Sequence, residues 1–296
     1  MTTTAADGFI EHRISRGSYQ LAAREYPGSK RAFVMMHGFP DDQKIWARLA
    51  PVLAGIGYSV ITFDFLGYGA SDKPAAFPYS AETWEEDLDA AIVAFKLERP
   101  IVVGHDASGP TAINWALDNP IGVGGLGLLN MYYGAAPTLK FPDFIAFFAD
   151  PNYREMSAAA LQDPAIFTWM MAYQGTLFAR DVPEEQPTLA QWLTPHIRAQ
   201  FAATPSAAIA FSKVTAGLHN SVQANTKRHH ELTSFKKPVS VIWGTADRFL
   251  NIGVAEHLMG LLPNAQLTTL KAGHWPQITM VDDVAKQLEE LASKVS

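Results

Sequence analysis

Short apolar runs alternate with amphipathic segments along most of the chain. The runs at residues 32–36, 59–63, 100–103, 122–129, 239–243 and 266–270 are bounded by Gly, Pro or Asp and predict strands. Between them, residues 42–53 and 81–97 predict helices; in the second, Trp84, Leu88, Ile92 and Phe95 recur at helical spacing. That alternation implies parallel strands joined by crossover helices, with both faces of the sheet covered. Two early segments, 9–14 and 18–24, predict an antiparallel edge hairpin. The rhythm breaks between residues 130 and 234, where the sequence turns helical and rich in Ala, Met, Phe and Tyr. Prolines such as Pro142, Pro151, Pro164, Pro183 and Pro195 cut that stretch into short pieces. About 100 residues without a strand signal, inserted between two core strands, predict a cap. The expected domains are therefore a core of residues 1–130 and 235–296 and a helical cap of residues 131–234.

Composition narrows the function classes. With 296 residues, 48% of them hydrophobic and 18% charged, the chain has enough apolar surface for a large core. A net charge of -6 with scattered Lys and Arg gives no electrostatic reason to expect nucleic acid. The absence of cysteine excludes disulfides, thiolate nucleophiles and Cys-ligated metals. Residues 1–8 are polar and small, and no apolar run reaches the roughly 18 residues of a membrane span. The expectation is a cytoplasmic protein without a membrane partner, a monomer or homodimer.

The chemistry concentrates in Ile-Val-Val-Gly-His-Asp-Ala-Ser-Gly-Pro, from Ile101 to Pro110. A strand, then small-x-residue-x-small, then a helix over 111–117 is the pattern of a nucleophile elbow, a strained turn that exposes one side chain at the top of a sheet. Gly104, Asp106 and Ser108 fill its first, central and last positions. Centring the pattern on Ser108 would put Asp106 and Pro110 where small residues are needed. Two further segments fall in order behind it: a strand-like run ending in Gly244-Thr245-Ala246-Asp247, and Ala272-Gly273-His274-Trp275-Pro276 after the next strand.

That order of nucleophile, acid and histidine resembles the α/β-hydrolase superfamily over nearly the whole chain. His37-Gly38-Phe39-Pro40 and Asp64-Phe65-Leu66-Gly67-Tyr68-Gly69-Ala70-Ser71 extend the resemblance, and the aspartate at the elbow narrows it to the epoxide hydrolase and dehalogenase branch. The resemblance implies an α/β-hydrolase fold, a mostly parallel doubly wound sheet with an inserted helical cap. It implies Asp106 as nucleophile, Asp247 orienting His274 as general base, and the backbone N–H groups of Phe39 and Ala107 as oxyanion donors. An aspartate is already ionised and displaces a leaving group from an sp³ carbon, giving an alkyl-enzyme ester. No metal and no organic cofactor is called for.

The leaving group is read from what surrounds the elbow. Haloalkane dehalogenases usually place a tryptophan after the nucleophile, and fluoroacetate dehalogenases an arginine; here the residue is Ala107, and residues 107–112 contain no arginine. Epoxide hydrolases supply the acid from cap tyrosines, which points to Tyr173 in Met171-Ala172-Tyr173-Gln174. The second expected tyrosine falls at His219, with Tyr132 and Tyr133 in reserve. His37, His105, Trp169 and Trp275 complete the candidate pocket, beneath a cap whose Phe144, Phe147, Phe148, Phe167, Met170, Met171 and Phe178 predict an apolar lining. The expected partners are a small apolar organic substrate and water. The leading expectation is conversion of an epoxide to a vicinal diol, followed by hydrolytic carbon–halogen cleavage and then a non-hydrolytic role such as receptor, lyase or oxygenase. Asp41 and Asp42 read as helix N-caps, Asp64 as a brace of its glycine-rich turn, and His229-His230 as solvated surface.

Overall fold

The computed structural model describes residues 8–295, so the reading of residues 1–8 lies outside it except at Gly8. Eight strands form one sheet: β1 Ile10–Arg16, β2 Tyr19–Tyr26, β3 Lys30–Met36, β4 Tyr58–Phe63, β5 Ile101–Asp106, β6 Gly125–Met131, β7 Val239–Gly244 and β8 Ala265–Leu270. Their spatial order is β1-β2-β4-β3-β5-β6-β7-β8. The β1–β2 hairpin and the β2–β4 pair are antiparallel, and every other pair is parallel.

Helices α1 Leu49–Gly55, α2 Ala81–Ala94 and α3 Ser108–Asp118 lie in the first half of the core. The interval between β6 and β7 holds α4 Asp143–Ala149, α5 Arg154–Gln162, α6 Pro164–Ala179, α7 Gln186–Trp192, α8 Thr194–Ala202, α9 Ala208–Ala216, α10 Leu218–Lys227 and α11 His229–Leu232. Helices α12 Ile252–Leu261, α13 Pro276–Thr279 and α14 Val281–Ser293 return to the core. No helix among the described residues is long and apolar enough to cross a membrane.

Strand periodicity sorts the core into two layers. Val34 and Met36 of β3 join Val102, Leu128, Val241 and Trp243 on one face. Phe33 and Met35 join Ile101, Val103, Leu129 and Ile242 on the other. Each such side chain contributes about 1.5–3 kcal/mol of burial free energy, and the two-period pattern fixes which layer receives it.

Several boundaries differ from the sequence expectation, including three between β3 and the elbow. The helix expected at 42–53 is a 3₁₀ turn at Gln43–Trp46 followed by α1. Asp42 caps that turn through Lys44 N (2.8 Å), while Gln43 N is drawn to Asp64 Oδ1 (2.7 Å). Helix α2 stops at Ala94, and Lys96 beyond it takes a left-handed φ of 52°. Strand β5 runs past Val103 through Gly104 and His105 to Asp106, held by pairing of His105 with Leu129 and Asp106 with Met131. The nucleophile candidate therefore stands at the C-terminal edge of the sheet, where open parallel sheets place their ligands.

Candidate active site

Asp106 leaves the strand with φ 52°, a conformation that costs a non-glycine residue about 1–3 kcal/mol and that aims its side chain away from the sheet. The neighbours make room for this turn. A Cβ on Gly104 would lie 2.8 Å from Ser108 O, and one on Gly38 would lie 2.5 Å from Asp106 Oδ2. Ser108 is buried, and its hydroxyl accepts from His105 N (3.0 Å) while facing the carbonyls of Met36 (3.0 Å) and His105 (2.9 Å). It is a brace for the elbow, fully buried and outside the cavity wall.

Phe39 N donates to Asp106 Oδ2 at 3.2 Å. Burial pushes the Asp106 carboxyl up to about 6, against the pull of His274 and of the N–H groups of Ala107 and Phe39. His274 presents Nε2 3.9 Å from Asp106 Oδ1 and directs Nδ1 to Asp247 Oδ2 at 2.5 Å. Burial alone would lower the imidazole, but Asp247, Asp106 and Asp41 outweigh it and raise His274 to about 9. The resting pair is thus a carboxylate facing an imidazolium.

Asp247 is held on every side. Its Oδ1 accepts from Phe249 N (3.0 Å) and Leu250 N (3.1 Å), and its Oδ2 accepts from Asn130 Nδ2 (3.0 Å). Asn130, at the end of β6 with φ 32°, also exchanges hydrogen bonds with Gly244 N (2.8 Å) and Gly244 O (3.2 Å). The sequence reading missed this residue; its only signal is an asparagine, tolerant of left-handed backbone, at a strand end. The histidine loop has its own supports: His105 Nε2 meets His274 O at 2.8 Å, and Glu185 accepts from Gly273 N with both oxygens at 3.1 Å.

Asp41 corrects an expectation. Asp42 alone caps the turn, whereas Asp41 is buried, accepts from Trp275 Nε1 at 3.0 Å, and is pushed by burial up to about 7. Asp64 does brace its turn, accepting from Gln43 N and from Ala70 N (2.8 Å). The two adjacent histidines separate: His229 Nε2 meets Tyr133 O at 3.0 Å, while His230 is exposed. No group of three or more metal-ligating side chains occurs among the described residues.

A cavity of about 310 Å³ opens over Asp106 and His274. Phe39, Tyr132 and Trp275 line it from the core, and Phe144, Ile145, Met171, Gln174, Phe178, Leu189 and Ile197 line it from the helical insertion. Other predicted pocket residues fall elsewhere. Tyr173 is 53% exposed and stacks on Trp169, itself 66% exposed, with ring centroids 5.7 Å apart on the outer face of α6. His219 is exposed beside Phe141. Tyr133 turns its hydroxyl to Asn114 Oδ1 (2.9 Å) and is absent from the cavity wall. His37 is buried behind the site, with Nδ1 on Gly38 O (2.6 Å) and Nε2 accepting from Phe65 N (3.2 Å). His105 is likewise fully buried, and burial lowers both histidines, keeping them neutral. Both serve as supports rather than pocket walls. Of the predicted aromatic lining, Phe148 and Phe167 pack around the buried Phe211, which in turn meets Phe39 at 5.9 Å, so they join the insertion to the hydrophobic core rather than face the cavity.

Comparison with known proteins adds the following. Residues 31–280 match the family model described as alpha/beta hydrolase fold. A fluoroacetate dehalogenase from a Burkholderia species is 39% identical over 108 residues, covering 35% of each chain. An epoxide hydrolase from Caballeronia sordidicola is 35% identical over 121 residues, covering 40% of this chain and 36% of its own. Those two alignments thus span little more than a third of either relative. A solved structure of a putative acyltransferase from Salmonella enterica superimposes with a TM-score of 0.78 at 22% identity, covering 98% of this chain and 96% of its own, a likeness of fold.

Proposed function

The chain belongs to the alpha/beta hydrolase fold family, and from that premise we propose that it is a hydrolase working through a covalent ester on Asp106, with an apolar epoxide as substrate and a vicinal diol as product. The observation that carries this reading is a carboxylate at the elbow, hydrogen-bonded by Phe39 N at 3.2 Å, with His274 Nε2 at 3.9 Å. A carboxylate needs no base to attack carbon, so the histidine is free for the second step.

In the first step an Asp106 oxygen bonds to an epoxide carbon as the ring C–O bond breaks. Esterification removes the Asp106 charge, which is one of the causes holding His274 near 9, so the imidazole more readily gives up its proton and becomes a base. His274 then takes a proton from water that attacks the ester carbonyl, with Asp247 stabilising the imidazolium. The oxyanion forms where the Asp106 carboxylate oxygen already meets Phe39 N. Metal-free chemistry of this kind asks only for these side chains and water.

The dehalogenase alternative needs a donor for a departing halide. The indole lining the cavity, Trp275, already gives its N–H to Asp41, and Ala107 follows the nucleophile. The epoxide reading is preferred on that ground alone, since relatives of both kinds match: a fluoroacetate dehalogenase over 108 residues and an epoxide hydrolase over 121.

The test is mass spectrometry of a His274→Gln variant incubated with aryl epoxides and, separately, haloalkanes. Ester hydrolysis is blocked while alkylation proceeds, so an adduct of the full epoxide mass on the Asp106 peptide is expected. An alkyl adduct lacking halogen, with halide released, would transfer the assignment to dehalogenation. No adduct from either panel would sink the covalent mechanism.

A further inference from the structure

Ring opening leaves an oxygen that must receive a proton, and the cap tyrosine expected to give it points to solvent. We propose that Tyr132 donates this proton from the core side of the cavity and that the Gln174 amide N–H holds the same oxygen from the cap side. The proposal rests on the epoxide reading above and assigns the acid to residues that the cap-tyrosine pattern does not reach.

Position comes first. Asp106 pairs with Met131 across β5 and β6, and Tyr132 is the next residue, so its backbone stands beside the nucleophile at the strand ends. Tyr132 is only 4% exposed, lines the cavity, and packs edge-on against Phe141 at 5.2 Å. Its hydroxyl has no hydrogen-bond partner among the described residues, whereas that of Tyr133 is committed to Asn114. The other hydroxyls in the cavity wall are engaged: Thr176 donates to Tyr173 O (2.7 Å) and Thr194 faces Leu189 O (3.4 Å). Gln174 is 5% exposed and its amide nitrogen is buried without a partner, which is costly unless a ligand supplies the acceptor.

The chemistry suits a tyrosine. Burial and the Asp106 charge keep the proton on Tyr132 in the free enzyme. Attack on carbon erases the Asp106 charge, so the phenol becomes a stronger acid as the leaving oxygen becomes a base. The carboxylate lone pair forms the new O–C bond, the ring C–O pair collapses onto oxygen, and that oxygen takes the Tyr132 proton. The tyrosinate is restored by the His274 imidazolium through cavity water. Neutral His274 then takes the proton of the water that attacks the ester carbonyl; collapse breaks the ester C–O bond, and the departing diol oxygen takes the proton of the new Asp106 carboxyl, so the cycle restores carboxylate and imidazolium and consumes one epoxide and one water per diol.

The experiment follows alkylation of Asp106 by an aryl epoxide in His274→Gln protein, comparing the limiting rate and the half-saturating concentration after adding Tyr132→Phe, Gln174→Leu or Tyr133→Phe. Tyr132→Phe is expected to lower the limiting rate at least 100-fold with half-saturation within threefold, and Gln174→Leu to lower it about tenfold. Tyr133→Phe is expected to leave both within twofold. A loss below threefold for Tyr132→Phe, or an equal loss for Tyr133→Phe, overturns the proposal while the ester mechanism stands. If His274→Gln protein takes up no epoxide at all, the functional reading fails, and this inference fails with it.

Discussion

The cavity has a floor and a roof made on different principles. On the floor, at the strand ends, the elbow and its acid are tied to named partners: Asp247 by two backbone N–H groups, Asn130 and His274; Asp106 by Phe39 N; Ser108 by three backbone groups. On the roof the polar side chains are few, and apolar packing does the positioning, as around Phe211. A hydrogen-bonded floor demands specific residue types at specific spacings, whereas an apolar roof accepts many sequences of similar volume.

Disturbing the floor should have the largest effect. Asn130→Leu removes the donor to Asp247 and both bonds to Gly244, and is expected to cut turnover by roughly 10–100-fold with little change in KM, as losses of supporting contacts do at other sites. Steady-state kinetics check it, and an unchanged kcat would show that the two backbone donors to Asp247 suffice. Next comes pH. The proposed mechanism has Asp106, raised to about 6, attack as the carboxylate, so kcat/KM should climb as pH rises through about 6 and be lost below it. Since the folded carboxyl lies above its unfolded value, the Asp106 contribution favours folding at acid pH and weakens as pH rises through the same window. A flat profile between pH 5 and 7 would remove that carboxylate from the rate-controlling step. The smallest effect belongs to the roof's outer face. Tyr173→Phe and Trp169→Ser should leave activity within about twofold and stability within about 0.5 kcal/mol, as expected of exposed positions. A tenfold loss of activity in Tyr173→Phe would bring the cap tyrosine back as the acid.

The same division explains what the sequence made legible. The strands, the edge hairpin and the places of Asp106, Asp247 and His274 were readable because two-residue periodicity and the glycine-flanked turn are local signals. Asn130 and Asp41 were not, since their importance comes from strands brought together in space: Asn130 meets Asp247 across 117 residues, and Asp41 meets Trp275 across 234. The cap failed for another reason. A helix apolar on nearly every side, such as α6, does not announce which face turns inward, so choosing Tyr173 over its neighbour Gln174 was a choice the 3.6-residue period could not make. The core strands carry their burial in their alternation; α6 takes its orientation from Phe144, Phe201 and the cavity itself.

One contact ties these halves together. Glu185, just before α7, spends both carboxylate oxygens on the N–H of Gly273, and Thr279 donates to the same side chain at 2.9 Å. Removing that carboxylate would strip Gly273, the residue preceding His274, of its acceptor, at a cost of about 1–3 kcal/mol for a charged hydrogen bond in a buried place. Glu185 therefore couples the two halves: one carboxylate fastens the segment before α7 to the loop that carries His274 and to the helix that follows it.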